Sequence, residues 1–205
     1  MERRLEIAVT LLLAVAAVAT AWASYQSARW RSEQAVAGGK SIAARVESTR
    51  AADVANRQGQ IDVGLFTQWV DAYLRDEDEL SAFYLKRFRP EFRPAFDAWV
   101  ATRPRVNPNA PLSPFAMPEY KLAASAEADR LEARAAAFSL DVGRFIQRAD
   151  NYALAVVLFA IALFFAGIST RLHSIAPRMV VLGLGYALFL GGVIWIATFP
   201  VSVSV

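Results

Sequence analysis

Three windows of this chain are almost free of charge, and that segregation restricts what it can fold into more than any other feature. Leu5 to Ala23 carries one ionised group, Glu6, near its start; Tyr152 to Ser169 and Met179 to Phe199 carry none. A helix rises about 1.5 Å per residue, so each window is long enough to cross a hydrocarbon core of about 30 Å. Charged residues are 20% of the chain and crowd between the first and second windows, so the 56% of apolar residues is gathered into blocks rather than spread through one soluble core. The pattern predicts an all-α membrane protein: three transmembrane helices with an extramembrane antiparallel helical bundle, coiled-coil-like, inserted between the first and second.

The expected layout runs from an N-terminus and first transmembrane helix at 1–23 to an extramembrane helical domain at 24–150 that contains a proline-rich loop at 103–119. Transmembrane helices follow at 151–170 and 179–199, joined by a short basic loop at 171–178, with a tail at 200–205. Arg3, Arg4, Arg171, His173 and Arg178 flank the spans on one side, which the positive-inside rule assigns to the cytoplasm. The N-terminus is then cytoplasmic and residues 24–150 are external. Arg29, Arg31, Lys40, Arg144 and Arg148 lie on the opposite side, interleaved with Glu33, Asp141 and Asp150. A cleaved signal peptide is the rival reading of the first window, since Ala21-Trp22-Ala23 fits a small-x-small cleavage site, but the apolar run is longer than a typical h-region. Trp22, Tyr25, Trp30 and Trp195 fit an aromatic belt at the outer headgroups.

Within the insert, no proline occurs before Pro90, so the first span is free to continue as helix beyond the bilayer. A 4,3 spacing of Ala28, Ser32, Ala35, Gly39, Ile42, Val46 and Thr49 predicts its seam, with Gly38-Gly39 as the candidate kink. The return helix is marked by Leu131, Ala135, Phe138, Val142, Phe145 and Ala149, and the same register runs on through Tyr152, Val156, Phe159, Leu163 and Ala166. That predicts one helix of roughly 45 residues, or about 70 Å. Between these arms, Pro94 fits the first turn of a short helix, while Pro104, Pro108, Pro111, Pro114 and Pro118 forbid regular helix and favour an extended connection.

Little in the chain points to catalysis. It has no cysteine and one histidine, His173, with no acid or second ligand beside it. Asp76-Glu77-Asp78-Glu79 lacks the glycine-punctuated spacing of a calcium loop and is expected to be a solvated face or turn. No Walker A, GxGxxG, HExxH or GxSxG motif occurs. A net charge of +3 with mixed signs gives no nucleic-acid stripe. The sequence therefore assigns no catalytic, cofactor-binding or metal-ligating residue.

At AWASYQSARW, RFRPEFRPAFDAW, NPNAPLSPFAMPEY and RADNYALAVVLFAIALFFAGIST the chain resembles, nearly end to end, a family of uncharacterised bacterial three-span membrane proteins. The resemblance implies a bacterial cytoplasmic membrane protein with this layout and carries no activity, cofactor or site residue. The expected function is a non-enzymatic interaction or scaffold subunit of a membrane assembly. Its partners would be the lipid bilayer and a second copy or another envelope protein, met through a surface of Phe88, Phe92, Phe96, Trp99, Pro111, Pro114 and Phe115. A sensor with a helical ligand-binding ectodomain is the alternative. An oligomeric pore lined by the glycine-rich third span, with Gly183, Gly185, Gly191 and Gly192, is a further one.

Overall fold

A computed structural model describes residues 2–202. Met1 and the last part of the expected tail, 203–205, lie outside the described residues. The helices are α1 Glu2–Leu74, α2 Asp78–Leu85, α3 Arg93–Ala101, α4 Ala123–Ser169 and α5 Ile175–Ala197, with a 3-10 turn at Pro114–Ala116. Among the described residues there is no strand. Helices α1, α4 and α5 are each long and apolar enough to cross a membrane. The chain divides into two units, Met1–Lys40 with Ala137–Val205, and Ser41–Ala136.

In the first unit, alanines fill much of the interior around a few large side chains such as Leu12, Tyr152 and Phe159, while many large apolar side chains face outward. Ala16, Ala23, Ala155, Ala162 and Ala166 are buried, while Ile7, Leu11, Val18, Leu154, Phe164, Val180 and Ile194 are exposed. Water would drive the large side chains inward; a lipid environment does not, and small residues then let helices approach closely. Gly185 and Gly192, seven residues apart, make that approach for α5. A Cβ at Gly185 would lie 3.3 Å from the Ala162 carbonyl oxygen and 3.4 Å from Leu12, and one at Gly192 would lie 2.8 Å from the Phe159 ring. Gly183 and Gly191 have nothing within 4 Å of such a position. Pro177 sits in the first turn of α5, where a missing N–H breaks no helical bond, so α5 begins four residues before the expected start at Met179.

Polar bonds tie this unit together at its helix crossings. Ser27 donates from Oγ to the Ala149 carbonyl at 3.0 Å, and Tyr186 donates its hydroxyl to the Ala8 carbonyl at 2.8 Å. Buried Gln26 brackets the backbone of Ser202, accepting from its N–H at 3.0 Å and donating to its carbonyl at 3.4 Å.

In the second unit, α1 and α4 again run antiparallel. Ser41 donates to the Ala135 carbonyl at 3.0 Å and Ser48 to the Ala128 carbonyl at 2.9 Å, a step of seven residues on each helix. The buried positions of α1 include Ala16, Ala23, Trp30 and Ala37 in the first unit and Ala44 in the second, also spaced by seven. The seam is thus Ala and Ser, and it is not the expected one: Ala28, Ser32, Ala35, Gly39, Ile42, Val46 and Thr49 are all exposed, Ile42 at 68%. The physical reason is that Ser27, Ser41 and Ser48 gain by turning hydroxyls onto the carbonyls of α4, a preference that a count of aliphatic residues does not register. On α4 the expected register holds, with Leu131, Ala135, Ala149, Tyr152, Phe159 and Ala166 buried along one helix. Helix α1 also runs through Gly38 and Gly39 without interruption.

Candidate functional site

The residues of the second unit that follow α1's seam build an aromatic core. Trp69, Phe88, Phe92, Phe96 and Trp99 are buried together, with Phe66, Phe115 and Tyr120 packed against them. Phe66 meets Trp99 edge to face at 5.3 Å, Phe96 meets Trp69 at 4.8 Å, and Phe92 stacks on Phe115 at 5.2 Å. Each such pair contributes about 0.5–1.5 kcal/mol beyond area burial. Pro94 stands in the first turn of α3 as expected, and that helix delivers Ala95, Phe96 and Trp99 to the core.

This placement corrects the predicted partner surface. Phe88, Phe92 and Phe96 are 5, 0 and 4% exposed and so form the interior; Pro114 is buried and Phe115 half-buried. Rings at helical spacing maximise burial, which a core satisfies as well as an interface does. Of that set, Trp99 and Pro111 line a concave surface on this unit.

That surface is a cleft of about 650 Å³, walled by the end of α1, by α3 and by the loop that follows. Its aromatic side is Trp69, Tyr73 and Trp99, with Trp69 and Tyr73 stacked at 4.9 Å and 11°. Opposite lies the proline-rich loop, which is tied down rather than loose. Trp99 donates Nε1–H to the Pro111 carbonyl at 2.7 Å, Asn107 donates Nδ2–H to the Thr102 carbonyl at 3.1 Å, and the Asn109 N–H donates to Asn107 Oδ1 at 3.0 Å. Arg103, two residues past the end of α3, lies in the left-handed region at φ 56°, where the chain turns into this wall.

The charge in the cleft has one sign. Among its lining residues, Arg103 and Arg105 are the ionised ones and none is a carboxylate. The Arg105 guanidinium lies 5.4 Å from the centre of the Tyr73 ring, and no ion pair engages either arginine among the described residues. Apolar side chains at the lip stay in solvent: Leu74 is 63% exposed, Val106 76% and Leu112 98%.

Sequence reasoning also missed a buried polar group on the same unit. Asp62, 0% exposed, pairs with Arg89 at 3.2 Å and accepts a hydrogen bond from the Tyr120 hydroxyl at 3.1 Å, both at Oδ2. Its Oδ1 has no protein partner, and Arg89 also reaches Glu91 at 3.0 Å. Burial pushes the Asp62 carboxyl above its ordinary range, against the pull of Arg89 and Tyr120. Burial, reinforced by Asp62, pushes the Tyr120 hydroxyl up to about 12, so it stays a donor. The cluster cross-ties α1, the segment before α3 and the approach to α4, and we assign it a structural role. The sequence signal was a lone Asp between Ile61 and Val63.

Other expected positions sort as follows. Trp22 and Tyr25 are 46 and 52% exposed, and Trp195 is half-buried against Phe199 at 5.1 Å. Trp30 is only 6% exposed: it stacks on Phe145 at 5.6 Å beneath the Arg148 guanidinium at 4.5 Å, and so belongs to a helix crossing instead of a lipid-facing belt. Asp76 adopts the left-handed conformation after α1, and Asp78 and Glu79 fill the first turn of α2, where the helix dipole favours them. The described residues hold no cluster of potential metal ligands. No family model, curated protein or solved structure matches the chain.

Proposed function

We propose that the chain is a non-enzymatic interaction subunit of a bacterial inner-membrane assembly, anchored by three spans, with the helical insert external and coiled-coil-like and its cleft serving as the recognition site. The observation that carries this reading is the cleft itself. A pre-formed concavity with an aromatic wall, cations of one sign and exposed aliphatic side chains at its lip is what a binding site needs. The test is photo-crosslinking in cells, with benzoylphenylalanine placed at Val106 or Leu112 and, as the control, at Ile61, which is 53% exposed. Discrete adducts at the first two positions and not at the third support the reading. The same adduct pattern at all three, or none anywhere, removes it.

The concavity also favours a second reading, a sensor in which a small ligand fills the cleft and the long helices transmit the change. It predicts that a soluble ligand raises the thermal midpoint of the full chain without any crosslinked partner.

A further inference from the structure

Resting on that recognition reading, we propose that the cleft's occupant is a short acidic peptide segment that carries a large apolar anchor residue. Three observations select this chemistry. The aromatic wall of Trp69, Tyr73 and Trp99 accepts an apolar or aromatic side chain. Arg103 and Arg105, with no carboxylate among the lining residues, complement negative charge and repel positive charge. The guanidinium fork suits a carboxylate in particular, since it donates two parallel hydrogen bonds.

The extent of the apolar surface separates a peptide from a small amphiphile. Leu74, Val100, Val106 and Leu112 line the cleft, yet they keep 63, 43, 76 and 98% of their area in solvent. A molecule that merely fills the cavity leaves this lip wet. An extended segment lying across it covers Val106 and Leu112 while its anchor packs on the aromatic wall at Tyr73, which keeps 40% of its area exposed. The wall also suits such a ligand: the loop from Arg103 to Leu112 is held by side-chain bonds at Asn107 and by Trp99, so little ordering entropy opposes binding.

The experiment is selection of phage-displayed random heptapeptides on the full chain in phosphatidylcholine nanodiscs, with affinities of the enriched peptides read by fluorescence anisotropy. Enrichment of peptides with Asp or Glu within two positions of Trp, Phe or Leu is expected. Their affinity should fall about tenfold in the Arg103→Gln/Arg105→Gln variant, the loss of charge-assisted pairs at a partly exposed site. Leu112→Asp, at a position too exposed to affect folding, should weaken them similarly by repulsion at the lip. A neutral or basic consensus, no enrichment, or affinities indifferent to both variants overturns the proposal. So does full displacement by sub-millimolar octanoate, which would mark a pocket for small amphiphiles. If the consensus is not acidic while the crosslinks at Val106 and Leu112 persist, this inference fails and the recognition reading survives.

Discussion

Replacing Arg89 by Met should destabilise the second unit by an amount that depends on pH, and the structure fixes the sign. Asp62 is wholly buried and its pair with Arg89 is nearly so, Arg89 keeping 17% of its side-chain area exposed. Removing one partner of a fully buried pair costs about 3–5 kcal/mol, so about 2–4 kcal/mol is expected here at neutral pH. Asp62 has an escape, which is to take up a proton. Its carboxyl already stands above the ordinary range through burial, and losing Arg89 raises it further. A raised carboxyl favours the folded state at low pH and loses that contribution as pH rises through the folded value. The penalty of Arg89→Met should therefore be largest at neutral pH and shrink on acidification, as the buried carboxyl takes up its proton in the folded variant. Asp62→Leu/Arg89→Met, which removes the charge as well as its partner, should be less damaging than Arg89→Met alone at neutral pH. Native-state hydrogen exchange by mass spectrometry on the full chain in nanodiscs, reading peptides that cover residues 59–66, gives the local opening free energy. A pH-independent penalty, or a double variant worse than the single one, would refute the reasoning.

Three other outcomes follow from the same geometry. Gly192→Ala should lower the thermal midpoint in detergent, with a cost of about 1–3 kcal/mol, because the new methyl meets the buried Phe159 ring at 2.8 Å; Gly191→Ala, with open space around it, should not. Difference absorbance titration against Tyr120→Phe should place the Tyr120 hydroxyl near 12, and the stability it contributes should persist below about pH 10 and be lost as pH rises toward 12. Asp76→Gly should slow hydrogen exchange at the end of α1 by relieving a left-handed residue at φ 57°, a gain of up to about 1 kcal/mol, whereas Asp76→Val should speed it.

The parts of the fold that were legible in the sequence are those marked by contrast in side-chain size and polarity. Leu131, Phe138, Phe145, Tyr152 and Phe159 stand out from their neighbours, so the register of α4 could be read over its whole length, and Pro94 announced the start of α3. The seam of α1 was not legible in the same way. Where nearly every candidate is Ala, Ser or Gly, hydropathy hardly distinguishes one face from another, and what decides is whether a hydroxyl finds a carbonyl across the crossing. The seven-residue spacing of Ser41 and Ser48, with Ser27 fourteen residues before Ser41, was the signal available. The cleft was half visible: its aromatic and proline residues drew attention, but their spacing says that they bury together, and only the folded chain shows which of them reach a surface. Arg103 and Arg105 carried no signal in the sequence, because nothing local shows that both line one cleft. Asp62 showed only as a lone Asp between Ile61 and Val63, and its role could not be read because its partners Arg89 and Tyr120 lie 27 and 58 residues away.

The most direct measurement takes advantage of a chain without cysteine. Leu112→Cys and Ser174→Cys, both at exposed positions, are labelled in intact cells with a membrane-impermeant maleimide. An external recognition cleft predicts that the cysteine replacing Leu112 labels at once and the one replacing Ser174 labels only after permeabilisation. The reverse pattern would place the cleft in the cytoplasm and contradict the account.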